Sequence, residues 1–85
     1  MGIPIDLTGA EGVELLLPSE VELCSILRLL PKIYLSIKET LLKEYARTGV
    51  LKRAVARSIV KIDVNKTGRI YDFFVAAGWV KPRRN

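Results

Sequence analysis

The sequence has 85 residues, 49% of them apolar and 7% aromatic, with 14 Lys and Arg against 9 Asp and Glu, one Cys and no His, which is the size of one small domain. Without histidine there is no Ser-His-Asp or Cys-His nucleophile, no His-containing zinc site and no imidazole pH switch, and a lone Cys builds neither a thiolate cage nor an internal disulfide. No apolar run approaches the roughly 18 residues needed to span a bilayer, and so short a chain lacks the walls of a deep substrate cleft, so a binding domain is expected and an enzyme is not.

The first 18 residues carry Pro4, Gly9, Gly12 and Pro18 with Ile3, Ile5 and Leu7 alternating, which predicts an extended arm over 1–18 lying on a domain of residues 19–85. The first ten residues show neither the basic start nor the long apolar stretch of a secretory signal. Ser19 stands three residues before Glu22, an S-x-x-E capping box that predicts a helix start at Ser19. Leu23, Ile26, Leu27 and Leu30 follow as its core face until Pro31 opens the next segment. Cys24 sits within that apolar pattern and reads as a small buried hydrophobe.

From Lys32 to about Thr48, Ile33, Tyr34, Ile37, Leu41 and Tyr45 make one apolar stripe and Leu35, Leu42 and Ala46 a second beside it. The spacing predicts a long helix packed on two sides, with Ser36, Glu39, Thr40, Lys43 and Arg47 outward and Gly49 as a left-handed cap. A shorter helix is predicted from about Leu51 to Val60, burying Leu51, Val55 and Ile59. Arg53, Arg57 and Lys61 recur at i, i+4 and i+8 on its other side with no acid between them. Like charges at this spacing repel weakly, so the row is either a solvated face or a face awaiting an anion, and its pattern favours neither reading.

Asp63 is positioned to N-cap a last helix reaching about Ala77, with Gly78 at its C-terminal end. Ile70, Phe73, Phe74 and Ala77 form the predicted core stripe, flanked by Tyr71 and Thr67, and Asn65, Gly68, Arg69 and Asp72 the opposite, exposed face, with Lys66 on the border and Asp72 within reach of Arg69. Trp79 and Val80 predict a short strand or a closing plug, followed by the basic tail Lys81, Arg83 and Arg84. Two short helices joined by a tight turn, the second opening with Asn65, Lys66, Thr67 and Arg69, match what helix-turn-helix docking to DNA requires. In that arrangement Asn and Arg reach base edges while Lys and Thr hold phosphates.

Charge is divided unevenly along the chain. Residues 1–30 carry five acidic side chains against Arg28 alone, whereas residues 31–85 carry thirteen basic and four acidic ones, so a net −4 is followed by a net +9. That excess favours a polyanionic or acidic partner.

The stretches Glu22-Leu23-Cys24, Leu29-Leu30-Pro31, Tyr34-Leu35, Ile37-Lys38 and, above all, Lys61-Ile62-Asp63-Val64-Asn65-Lys66-Thr67, followed by Ile70-Tyr71-Asp72-Phe73-Phe74 and Gly78-Trp79, resemble a SWIRM domain over nearly the whole chain. The lead-in Ile5-Asp6-Leu7-Thr8-Gly9, with Gly12 and Leu15-Leu16, is similar to the branch of that family found in transcriptional adaptors of histone acetyltransferase complexes. The resemblance implies an all-α SWIRM helical bundle with a long central helix and a C-terminal helix-turn-helix related to winged-helix folds. It also implies nuclear chromatin work without catalysis or a cofactor: association with double-stranded or nucleosomal linker DNA, largely without sequence specificity, in a protein whose other domains engage acetyltransferase subunits. Those other domains are not within these 85 residues, so the sequence reads as one domain of a longer protein, monomeric on its own. The expected DNA-binding residues are Arg53, Arg57, Lys61, Asn65, Lys66, Thr67, Arg69, Lys81, Arg83 and Arg84. Gly68 stands where relatives often carry a basic residue, which would remove one phosphate contact. The alternative is a protein-interaction module within a histone-modifying complex or on histones, using an apolar patch around Leu15 to Leu17 in place of the basic face.

Overall fold

The backbone of the opening segment is tied down by paired bonds: Ile5 N–H donates to the Ser25 carbonyl at 3.1 Å, and Ser25 Oγ donates to the Ile5 carbonyl at 2.6 Å. Of the alternating apolar residues only Leu7 is buried, and Ile3 is 82% exposed. After Gly12, at φ +90°, the chain makes a 3-10 turn over Val13–Leu15, so the arm is not extended throughout. The computed structural model describes residues 3–83 and contains, among them, four α-helices and no strand.

Helix α1 spans Pro18–Leu27 and starts one residue before the expected Ser19 cap. Pro18 at the first helical position has its φ pre-set and gives up an N–H that would be unpaired there anyway, which makes Leu17 the N-cap and Glu20 the third helical residue. Glu20 Oε1 accordingly accepts the Leu17 N–H at 2.9 Å, the bond expected of Glu22. The helix also ends a turn earlier than expected. Arg28 turns left-handed at φ 59° and Leu29 N–H reaches back to the Cys24 carbonyl at 2.9 Å, a closure that sends Leu29 inward and leaves Leu30 54% exposed. Cys24 and Leu27 are fully buried.

Helix α2 spans Pro31–Thr48. Gly49, at φ +78°, closes it by donating to the Tyr45 carbonyl at 2.7 Å. Tyr34, Ile37 and Leu41 are buried, Leu35, Leu42 and Tyr45 half-buried, and Ile33 and Ala46 face outward, so the second stripe is narrower than its pattern implies. The fold divides between Ser36 and Ile37 into two compact units, with α2 contributing its first turns to one and the remainder to the other.

In the C-terminal unit, α3 (Arg53–Ile59) packs on α4 (Val64–Ala76). Asp63 caps α4 as expected, its Oδ1 accepting the Asn65 N–H at 2.7 Å. The buried side of α3 is Ala56 with the following Val60, flanked by half-buried Val55 and Ile59, a rotation from the predicted Leu51, Val55 and Ile59 stripe. Leu51 instead sits before the helix and holds two segments through its backbone: its N–H donates to the Lys81 carbonyl at 2.8 Å and its carbonyl accepts the Tyr71 O–H at 2.7 Å. Ile70 and Phe74 are buried as predicted, whereas Ala77 is exposed and Phe73 half-buried. Trp79 closes this core as a plug, edge-on to Phe73 at 5.6 Å and 5.3 Å from the Phe74 ring, with Lys38 Nζ 4.3 Å above its face. An indole so committed is core and not a platform for a base.

Candidate nucleic-acid interface

The tight turn of residues 60–63 joins α3 to α4, and the two helices pack against each other. Arg53, Arg57 and Lys61 are exposed along α3 and the start of the turn, as are Asn65 and Arg69 on α4, while Lys66 is half-buried. Lys61 Nζ donates to the Ser58 carbonyl at 3.3 Å, which leaves two of its three ammonium protons for an anion. Asn65 uses its backbone N–H in the Asp63 cap, so its side-chain amide projects from the first turn. In the tail, Lys81 and Arg83 are exposed and the Lys81 carbonyl is anchored to Leu51. Arg84 lies outside the described residues.

Thr67, expected to bind DNA although it flanks the core stripe, and Gly68, expected on the exposed face, are both inside. Thr67 is completely buried and its hydroxyl donates to the Asp63 carbonyl at 3.3 Å, so it closes the first turn of α4 and is not placed to hold a phosphate. Gly68 is buried too, at the contact of α3 with α4. A Cβ built on it would lie 2.9 Å from Arg53 Nη1 and 3.4 Å from Arg57 Nη2. The residue is therefore not an open position that lacks a basic side chain. It is the floor on which the two α3 guanidiniums rest, and its missing Cβ is what lets them come that close.

Sequence reasoning also paired Asp72 with Arg69, and the structure pairs it with Arg53, whose Nη2 contacts Asp72 Oδ1. The Arg53 guanidinium lies 5.4 Å from the Tyr71 ring centroid as well. Burial raises the Tyr71 hydroxyl above its ordinary pKa, while the neighbouring guanidinium pulls it down and the Asp72 carboxylate pushes it up. No local signal finds this cluster, because Tyr71 and Asp72 are 18 and 19 residues from Arg53 and meet it only where α3 packs on α4.

Arg57, Lys61, Asn65 and Arg69 are thus exposed on α3, the turn and α4, Lys66 is half-buried, and Arg53 is bound to an internal carboxylate. Exposed guanidinium and ammonium groups are of the kind that hold phosphate oxygens by charge-assisted hydrogen bonds, and an exposed amide is of the kind that pairs with a base edge. Among the described residues no group of His, Cys, Asp and Glu is placed to hold a metal ion, and no helix is long and apolar enough to cross a membrane.

The described residues make a small helical domain whose last two helices pack together across a tight turn. The SWIRM domain model matches residues 10–82, and the chain belongs to that family. It is 51% identical over 77 residues to Transcriptional adapter 2 of Candida albicans and 48% identical over 77 residues to Transcriptional adapter 2-alpha of Homo sapiens, covering 89% and 91% of this chain and 17% of each relative. It is also 49% identical over 61 residues to Transcriptional adapter 2A of Drosophila melanogaster, covering 72% of this chain and 11% of the relative. The chain spans about one sixth of the length of the first two relatives.

Proposed function

We propose that this is the non-catalytic, chromatin-associated SWIRM domain of a nuclear transcriptional adaptor, and that it binds double-stranded or nucleosomal linker DNA through the outer side of α3 and α4. The adaptor names of its relatives support the setting. The observation that supports the DNA reading is that Arg57, Lys61, Asn65 and Arg69 are exposed on α3, α4 and the turn that joins them, with Lys66 half-buried and the Arg57 guanidinium lying over Gly68 of α4. Contacts to the backbone from four cations and a single exposed amide yield affinity with little sequence preference. In the adaptor, this domain would tether a histone acetyltransferase complex to DNA.

Charge reversal tests it, since Arg57 and Arg69 are exposed and lie off the core. Arg57→Glu combined with Arg69→Glu is expected to weaken binding to a short duplex by about tenfold or more at low salt, with the thermal midpoint held. Unchanged affinity overturns the assignment.

One observation favours a second reading. In the N-terminal unit Leu15 is 68% and Leu17 50% exposed, and Leu15 lines a shallow groove with Glu11, Gly12, Glu14, Lys32 and Leu35. On that reading the domain docks onto a protein partner, and Leu15→Ser abolishes partner recovery while leaving DNA affinity intact.

A further inference from the structure

The Arg53 and Arg57 guanidiniums lie side by side over Gly68, and one of them is already occupied by a carboxylate from its own domain. We propose that Asp72 is an internal stand-in for phosphate: it latches Arg53 in a two-arginine cradle built over Gly68, and a phosphate of bound DNA displaces it. The inference rests on the DNA reading above and names the residue that regulates that surface.

The geometry supports a latch over a permanent structural pair. Arg53 and Asp72 are 42% and 54% exposed at their side chains, and ion pairs that wet are weak and exchange readily. Arg57 shares the same floor, with Nη2 and Nε both lining Gly68, and is exposed on α3, whose residues include no Asp or Glu. A phosphate entering the cradle therefore meets one open guanidinium and exchanges its oxygens for the Asp72 carboxylate on the second. No covalent step is involved: Arg53 keeps its proton and its charge, and Asp72 is released into solvent. Tyr71, under Arg53, keeps the guanidinium plane in place during the exchange.

Asp72→Asn separates this from a simple change of net charge when it is compared with Glu39→Gln, an exposed position on α2 outside the cluster. In a duplex titration, Asp72→Asn is expected to tighten binding by about two- to fivefold beyond Glu39→Gln and to steepen the log–log salt dependence by about one unit. Arg53→Gln is expected to weaken binding by less than about twofold in the wild-type background and by several-fold in Asp72→Asn, because Arg53 counts fully only once unlatched. Equal gains from Asp72→Asn and Glu39→Gln, or equal losses from Arg53→Gln in both backgrounds, overturn the latch. If the wild-type domain binds no duplex, the DNA reading fails on its own, and inorganic pyrophosphate decides the latch. Arginine Nε–H signals of Arg53 and Arg57 are then expected to shift at lower pyrophosphate in Asp72→Asn than in wild type, and coincident titrations overturn it.

Discussion

Tyr34 donates its phenolic O–H to Glu20 Oε2 at 2.5 Å, deep in the N-terminal unit, while Oε1 of the same carboxylate accepts the Leu17 N–H at 2.9 Å. Glu20 is 1% exposed and Tyr34 not at all, so one buried side chain joins the start of α1 to the first turns of α2. A hydrogen bond to a buried charged acceptor is stronger than one between neutral groups, and its loss leaves the charge less well solvated. Tyr34→Phe is therefore expected to destabilise the fold by about 1.5–3 kcal/mol. Tyr71→Phe, which loses only a bond to the neutral Leu51 carbonyl, is expected to cost about 0.5–1.5 kcal/mol. Urea unfolding of both variants gives the order, and equal losses would mean that Glu20 finds another donor at no penalty.

The same unit makes stability fall in alkali. Burial pushes the Cys24 thiol from 9.0 up to about 12, with the Glu20 charge adding to it, and burial followed by Glu20 raises the Tyr34 hydroxyl well above its ordinary value. The unfolded chain then releases both protons at lower pH than the folded chain, so the unfolded state binds fewer protons and the unfolding free energy declines as pH rises. The stabilisation is complete below the unfolded thiol value of 9.0 and is lost progressively on the way to the folded value of about 12. Urea titrations from about pH 8 to about pH 11 are expected to show a slope that steepens as the tyrosines begin to titrate, Tyr71 adding to Cys24 and Tyr34 because its hydroxyl is raised as well, and a slope smaller by up to about one proton in Tyr34→Phe. A flat profile would contradict the burial of both groups.

Cys24 is fully buried with its thiol held protonated, and the thiolate is the reactive form. Its modification by a thiol-reactive disulfide reagent at neutral pH is expected to be limited by opening of the domain and to accelerate in step with added urea. Rapid labelling of the folded domain would place the thiol at the surface.

Gly68→Ala separates helix stability from the arginine cradle. The added methyl meets only the ends of two flexible side chains, which can move, and alanine is favoured over glycine inside a helix by about 0.8–1 kcal/mol. The variant is expected to melt higher than wild type by up to that amount while its Arg53 and Arg57 side-chain signals shift. A lower melting point would show that the guanidiniums cannot yield.

Local signals made much of this fold legible. The Asp63 cap, the Gly49 closure, Pro31 opening α2 and the burial of Cys24 each depend on residues within a turn of one another, and each stands where the sequence places it. Where two local signals overlapped, the reading missed: Leu17-Pro18-Ser19-Glu20 outcompetes Ser19-x-x-Glu22 because proline fixes the first helical residue. The first turn of α4 was misread for a different reason. Its periodicity gives Asn65, Gly68 and Arg69 one side and sets Thr67 beside the core stripe, where it is buried, whereas Gly68 is out of solvent because the Arg53 and Arg57 side chains of α3 lie over it, a tertiary contact that no window of α4 contains. Of the predicted surface, Arg57, Lys61, Asn65 and Arg69 are exposed on it, Lys66 is half-buried, Thr67 is inside, and Arg53 faces Asp72.

The claim that the α3 and α4 surface holds DNA phosphates is tested most directly by titrating the isotope-labelled domain with a short duplex at several salt concentrations, following backbone amides residue by residue. The account predicts shifts concentrated between Arg53 and Arg69 and in the tail at Lys81 and Arg83, with affinity falling at a log–log slope of roughly −4 to −5, as for four to six neutralised phosphates. Absent shifts at low salt, or a slope shallower than about −1, would contradict it and leave the basic side of α3 and α4 as a solvated face.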